Sequence, residues 1–238
     1  MSYAYVGCRT TKERNARGKG LKVFEINDKT GDWNLIQCLK TEEENPSYQT
    51  LDNEGKFLYS VHGDKTKVSS YRILEDGTLS PLNMIDIGGK NPVFITADKT
   101  NHYLIVAALQ GGAVYVIRRN GDGSLGDIVS ETHLPGRKEG SVSFAHQCIW
   151  DQTKTFLFVV TQGRIQGYGQ VLVYRFDAEN GTLTETDCFR SREYDEPRHI
   201  AIHPNNRYAY LINEKGNKMT YFGFDDVNGK LLPRQNLP

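Results

Sequence analysis

The chain has 238 residues and a mass of 26.9 kDa, enough to remove roughly 70–75% of its unfolded surface from water. Lys+Arg and Asp+Glu both number 29, so the net charge is zero, which excludes the global basic field of a general nucleic-acid binder. With 38% hydrophobic and 24% charged residues the composition is that of an ordinary globular protein, neither disordered nor fibrous.

The chain opens Met1-Ser2-Tyr3-Ala4, without a basic-then-apolar leader. Its first apolar segments, Tyr3 to Gly7 and Leu21 to Asn27, read as strands of an incomplete repeat. They are joined by Arg9 to Gly20, where Arg9, Lys12, Arg14, Arg17 and Lys19 stand against the lone Glu13; this segment is expected to be a mobile charged loop. Thr30-Gly31-Asp32-Trp33 is the first, degenerate copy of a turn that returns as Asp76-Gly77-Thr78-Leu79, Asp122-Gly123-Ser124-Leu125, Asn180-Gly181-Thr182-Leu183 and Asn228-Gly229-Lys230-Leu231. Asp-Gly and Asn-Gly favour tight hairpins because glycine accepts positive φ.

The turn glycines stand 46, 46, 58 and 48 residues apart, the period of a β-propeller blade. Within each period the order is constant. A run ending in Asp or His (Pro46 to Asp52, Pro92 to Asp98, Ala145 to Asp151, Pro197 to His203) precedes an aromatic strand (Phe57 to Val61, Tyr103 to Ala107, Phe156 to Val160, Tyr208 to Ile212). A third strand and the glycine turn follow, then a more polar fourth strand. The expected fold is all-β, a propeller of four-stranded antiparallel blades, with four full repeats and an N-terminal part-repeat in one domain spanning residues 1–238. The longest apolar runs, Tyr103 to Leu109 and Phe156 to Val160, are far shorter than the ~20 residues of a membrane span. Cys8, Cys38, Cys148 and Cys188 form no C-x-x-C pair and are expected to be free thiols, so a soluble cytoplasmic protein is expected, with no membrane or nucleic-acid partner.

Three motifs mislead. Gly121 to Gly126 matches G-x-G-x-x-G, but the dinucleotide fingerprint needs a strand before it and a helix after it, and here the glycines belong to a hairpin. Asn180-Gly181-Thr182 is a formal glycosylation sequon in the same kind of turn. His199 and His203 share one strand face, yet position 203 is Asp52, Asp98 and Asp151 in the sister repeats, so a turn cap is expected there and no metal.

Aligning the repeats puts Ser47, Val93, His146 and Arg198 in one slot at the start of the innermost strand, ringing one mouth of the channel. Glu214 shares the slot of Gly63, Leu109 and Gln162 and should face the same mouth. His exchanges protons near neutral pH, Arg holds a carboxylate, phosphate or oxyanion, and Glu orients the His or activates water. The same placement equally fits side chains that only satisfy polar groups at a loop rim, with Arg198 in a surface ion pair.

The segment Glu196 to Glu214, reading E-P-R-H-I-A-I-H-P-N-N-R-Y-A-Y-L-I-N-E, resembles the signature of the seven-bladed propeller lactonases, a family of bacterial-type 6-phosphogluconolactonases and fungal 3-carboxy-cis,cis-muconate lactonizing enzymes. Tyr5-Val6-Gly7, Asn45-Pro46-Ser47 and the His146 slot agree with it. The resemblance implies His146, Arg198 and Glu214 as catalytic residues, with Arg198 and Asn213 binding substrate and no cofactor or metal. It implies a small anionic lactone as partner, hydrolysed as 6-phosphogluconolactone, with a muconate-type cycloisomerase or an inactive binding scaffold as alternatives. Departures from the pattern are Phe144, where the family carries a histidine, Ala108 to Gly112 and Cys8-Arg9. The pattern also implies seven blades, about five of them present here. An open arc is therefore expected, with exposed blade faces that favour self-association.

Overall fold

The computed structural model describes residues 2–238, which form nineteen strands in five antiparallel sheets. Blade 1 has three strands, β1 (Ser2–Val6), β2 (Leu21–Ile26) and β3 (Trp33–Leu39). Blade 2 comprises β4 (Pro46–Leu51), β5 (Phe57–His62), β6 (Lys67–Ile73) and β7 (Leu79–Asp86); blade 3 comprises β8 (Pro92–Ala97), β9 (Tyr103–Ala108), β10 (Ala113–Arg119) and β11 (Leu125–His133). Blade 4 follows with β12 (Phe144–Trp150), β13 (Phe156–Gln162), β14 (Gln170–Asp177) and β15 (Thr182–Arg190), and blade 5 with β16 (Pro197–Ile202), β17 (Tyr208–Asn213), β18 (Lys218–Asp225) and β19 (Lys230–Leu237). Within each complete blade the strands pair in chain order, the meander expected of a propeller.

The second strand of each blade carries the core. All residues of β5, β9 and β13 are buried, because successive side chains point to opposite faces and each face meets a neighbouring blade. Thus Leu104 and Val106 pack towards blade 2, Tyr103 and Ile105 towards blade 4. Phe156 and Phe158 continue the pattern into blade 5. In β17 the alternation persists on one side only: Ala209 and Leu211 are buried, while Tyr208 and Ile212 are 36% and 56% exposed. At the other end Trp33 and Leu35 are exposed on blade 1. Among the described residues no hydrogen bond and no core cluster joins blade 5 to blade 1.

Two devices recur along the chain. The buried Asp52, Asp98 and Asp151 each accept the backbone N–H of the residue opening the next strand, Phe57, Tyr103 and Phe156. His203 serves as a cap at the same position, its Nδ1 accepting from Asn205 N at 3.2 Å. Second, the turn glycines have positive φ (79°, 88°, 67° and 67° at Gly77, Gly123, Gly181 and Gly229) and each touches an aromatic ring of the preceding blade. A Cβ at these four positions would lie 2.4, 2.1, 2.7 and 2.3 Å from the rings of Tyr3, Phe57, Tyr103 and Phe156.

The basic segment is tethered, contrary to the mobile loop expected of its charge. It contains a short 3-10 turn, Lys12–Arg14, and both Arg9 and Arg14 pair with Asp64 of blade 2. Thr10 N and Thr11 N donate to Asn45 Oδ1 at 2.8 and 3.2 Å. No helix is long and apolar enough to cross a membrane among the described residues.

Gly123→Ala is expected to combine a left-handed alanine, about 1–2 kcal/mol, with overpacking of Phe57, a further ~1–3 kcal/mol. Gly31→Ala adds a Cβ with nothing within 4 Å and carries only the backbone cost. Urea unfolding of both variants checks this; equal losses would remove the ring contact as a source of stability.

Candidate active site

A repeated irregularity builds the site. In every complete blade the inner strand skips one residue in its ladder with the second strand, the register jumping from Pro46 to Tyr48, Pro92 to Phe94, Ala145 to Gln147 and Pro197 to His199. The skipped residues are Ser47, Val93, His146 and Arg198, the four that the repeats align in one slot. A β-bulge frees its extra residue from the pleat and re-aims the side chain. The entry is shaped by Asn45, Asn91 and Glu196, whose φ values of 55°, 58° and 54° are left-handed. Their carbonyls accept from Gly63 N, Leu109 N and Glu214 N, which sets Glu214 at the mouth end of blade 5.

Arg198 and Glu214 are brought together: Arg198 Nη1 donates to Glu214 Oε2 at 2.6 Å. Gln162, buried at the end of β13, donates its Nε2 to the same oxygen at 2.5 Å, and its Oε1 accepts from Arg164 Nε and Nη2 at 3.2 and 3.0 Å. His146 stands across the blade 4–blade 5 boundary against His199, ring centroids 5.0 Å apart. Its Nδ1 is buried and has no hydrogen-bond partner among the described residues. Among the described residues Glu214 makes no hydrogen bond to His146: its Oε2 is taken by Arg198 and Gln162, so the carboxylate steadies the guanidinium.

Asn213, expected to bind substrate, is buried within blade 5. Its Nδ2 donates to Lys218 O and Thr220 Oγ1 at 3.3 and 3.2 Å, which ties it to the β17–β18 hairpin, while its Oδ1 is buried without a hydrogen-bond partner among the described residues. Gln162 and Arg164 were not singled out as site residues in the sequence. Gln162 sits in the slot of Glu214 and could have been found there. Arg164 lies in the β13–β14 loop, where repeat alignment has no counterpart, and its guanidinium stacks on Phe144 at 5.0 Å.

Burial pushes His146 down to about 4; the charges of Arg198 and His199 act in the same direction and Glu214 opposes them. The hydrogen bond from Arg198 holds Glu214 below the usual carboxylate range. His199 is lowered as well, first by burial and then by Arg198. At neutral pH the site therefore holds a neutral imidazole beside a guanidinium–carboxylate pair. That arrangement suits proton abstraction next to a fixed anion-binding group. Among the described residues no three His, Cys, Asp or Glu side chains converge as a metal site.

The family described as "Lactonase, 7-bladed beta-propeller" matches residues 3–238. The chain belongs to this lactonase family. A 6-phosphogluconolactonase of Formosa agariphila is 27% identical over 98% of the chain and 67% of its own length. That of Bacillus subtilis is 27% identical over 78% of the chain and 53% of its own length. The chain thus spans between about half and two thirds of these curated relatives. Among solved structures, the periplasmic gluconolactonase of Pseudomonas aeruginosa superposes with a TM-score of 0.85 at 23% identity, covering 99% of this chain and 68% of that one, which shows the propeller fold.

The His146 ring is expected to titrate near 4 in an NMR pH series, against 6.5 for an unperturbed histidine. Between those values the unfolded chain binds the additional proton, so this residue makes stability rise as pH climbs from about 4 to 6.5 and adds nothing above. Unfolding of His146→Gln should show a shallower rise over that window; an unchanged slope would mean the imidazole is not held neutral by the fold.

Proposed function

We propose that this site hydrolyses a sugar lactone, of the 6-phosphogluconolactone kind named for the relatives. The observation carrying the reading is a neutral, half-buried His146 beside an Arg198 locked in place by Glu214 at 2.6 Å. His146 takes a proton from water as the oxygen attacks the lactone carbonyl. Arg198 stabilises the oxyanion that forms, and the Glu214–Gln162 pair keeps its fork from swinging away. When the tetrahedral intermediate collapses, the ring C–O bond breaks and the imidazolium returns its proton to the leaving alkoxide. The products balance as one hydroxy acid from one lactone and one water.

A base held near 4 is weak, and the geometry contains a remedy. Arg198 is one of the groups depressing His146, so an oxyanion drawn to the guanidinium cancels part of that field and raises the basicity of the imidazole as the charge develops. We place the reaction in the cytoplasm on the strength of the phosphorylated sugar substrate alone.

The test is a lactone-hydrolysis assay coupled to oxidation of 6-phosphogluconate. His146→Ala, Arg198→Ala and Glu214→Ala should each lower turnover by about 10²-fold or more, the low end for a positioned acid–base group. Melting temperatures should barely move, since the Arg198–Glu214 pair is largely exposed, with 39% and 44% of the side chains accessible. Undiminished turnover in His146→Ala would overturn the assignment, and so would unfolding of a variant while Ser47→Ala in the sister slot stays folded.

A further inference from the structure

Between the β13–β14 loop and the β15–β16 connection lies a cavity of about 230 Å³. Four arginines from three segments line it: Arg137 before β12, Arg164 in the β13–β14 loop, and Arg190 and Arg192 at and just beyond the end of β15. Only two glutamates, Glu193 and Glu196, line it with them. Neither neutralises the set. Glu196 is buried and spends both carboxylate oxygens on Arg164 N, at 2.9 and 3.2 Å. Glu193 pairs with Arg137 at 2.7 Å, and among the described residues no ion pair engages Arg164, Arg190 or Arg192.

The cationic heads are also held in place. Arg137 and Arg190 both stack on the Tyr168 ring, at 5.6 and 4.1 Å from its centroid, and Arg137 Nε donates to Gly167 O at 3.0 Å. The loop between them is tightly packed. A Cβ at Gly167 would lie 2.5 Å from Val142 O, and one at Gly169 2.8 Å from Ser191 Oγ. A guanidinium fork held over a ring matches the oxygens of a phosphoryl group, which accept paired N–H bonds, and the Arg190 and Arg192 heads are left for such a group.

Arg164 joins this cavity to the reaction site. It lines the cavity while its guanidinium donates to Gln162, which in turn donates to Glu214 beside Arg198. We propose that the cavity is the subsite for the anionic arm, a phosphoryl group, of the ligand whose lactone end meets His146 and Arg198. The assignment rests on the lactonase reading and adds to it the group that separates phosphorylated from unphosphorylated sugar acids.

Calorimetric titration of the chain with 6-phosphogluconate and with gluconate tests it. The wild type should bind the phosphorylated acid at least tenfold more tightly. Arg190→Gln and, as an exposed second position, Arg192→Gln should each shrink that preference several-fold with melting temperatures retained, while Arg190→Lys keeps most of it. Equal affinity for the two acids in the wild type, or a preference untouched by both glutamine variants, would overturn the subsite. If the preference and its loss are seen but no lactone is turned over, the subsite stands and the hydrolytic reading fails. If lactones are turned over without the preference, the reverse holds.

Discussion

An aromatic ring seated on a turn glycine of the next blade is the contact on which the rest of this structure depends. It occurs four times, and each time the glycine serves two needs at once, a left-handed backbone and room for the ring. A blade on its own has two apolar faces and no reason to stay ordered; stacking converts them into core. The ring-on-glycine contact fixes how far the blades slide over one another. That in turn fixes where the inner strands begin, and the bulged residues at those beginnings make up the site.

The site is accordingly a property of neighbouring blades. His146 belongs to blade 4 and Arg198 to blade 5, and Gln162 reaches across to hold the carboxylate that steadies Arg198. A shift of one blade would separate the base from the anion-binding group by more than the hydrogen bonds tolerate. The same boundary carries the arginine cavity, so the position of a sugar acid's two ends would be set by one interface.

Much of this was legible in the sequence because the chain repeats itself. Four copies of the Gly turn located the hairpins, and the slot shared by Ser47, Val93, His146 and Arg198 turned out to be the bulge position. Residues outside the repeat were hidden. Asn213, beside Glu214 in the sequence, shares the buried face of Ala209 and Leu211 along β17, and its amide Nδ2 bonds Lys218 and Thr220. The basic segment looked loose by charge, but Asp64 and Asn45, distant in sequence, tie it down. The spacing of 58 residues from Gly123 to Gly181, longer than its neighbours, is the trace of the cavity in the sequence. The excess lies in the β11–β12 connection and the β13–β14 loop, the two insertions that supply Arg137, Arg164 and Tyr168 to the cavity.

The ring-on-glycine joint has a polarity. Every blade offers a ring on one face and a glycine on the other, so the outer faces of blades 5 and 1 are unlike: Tyr208 of blade 5 is 36% exposed, and Gly31 of blade 1 has nothing above it within 4 Å. A further blade can therefore join blade 5 only through its turn glycine and blade 1 only through its ring, so blades add in a single sense.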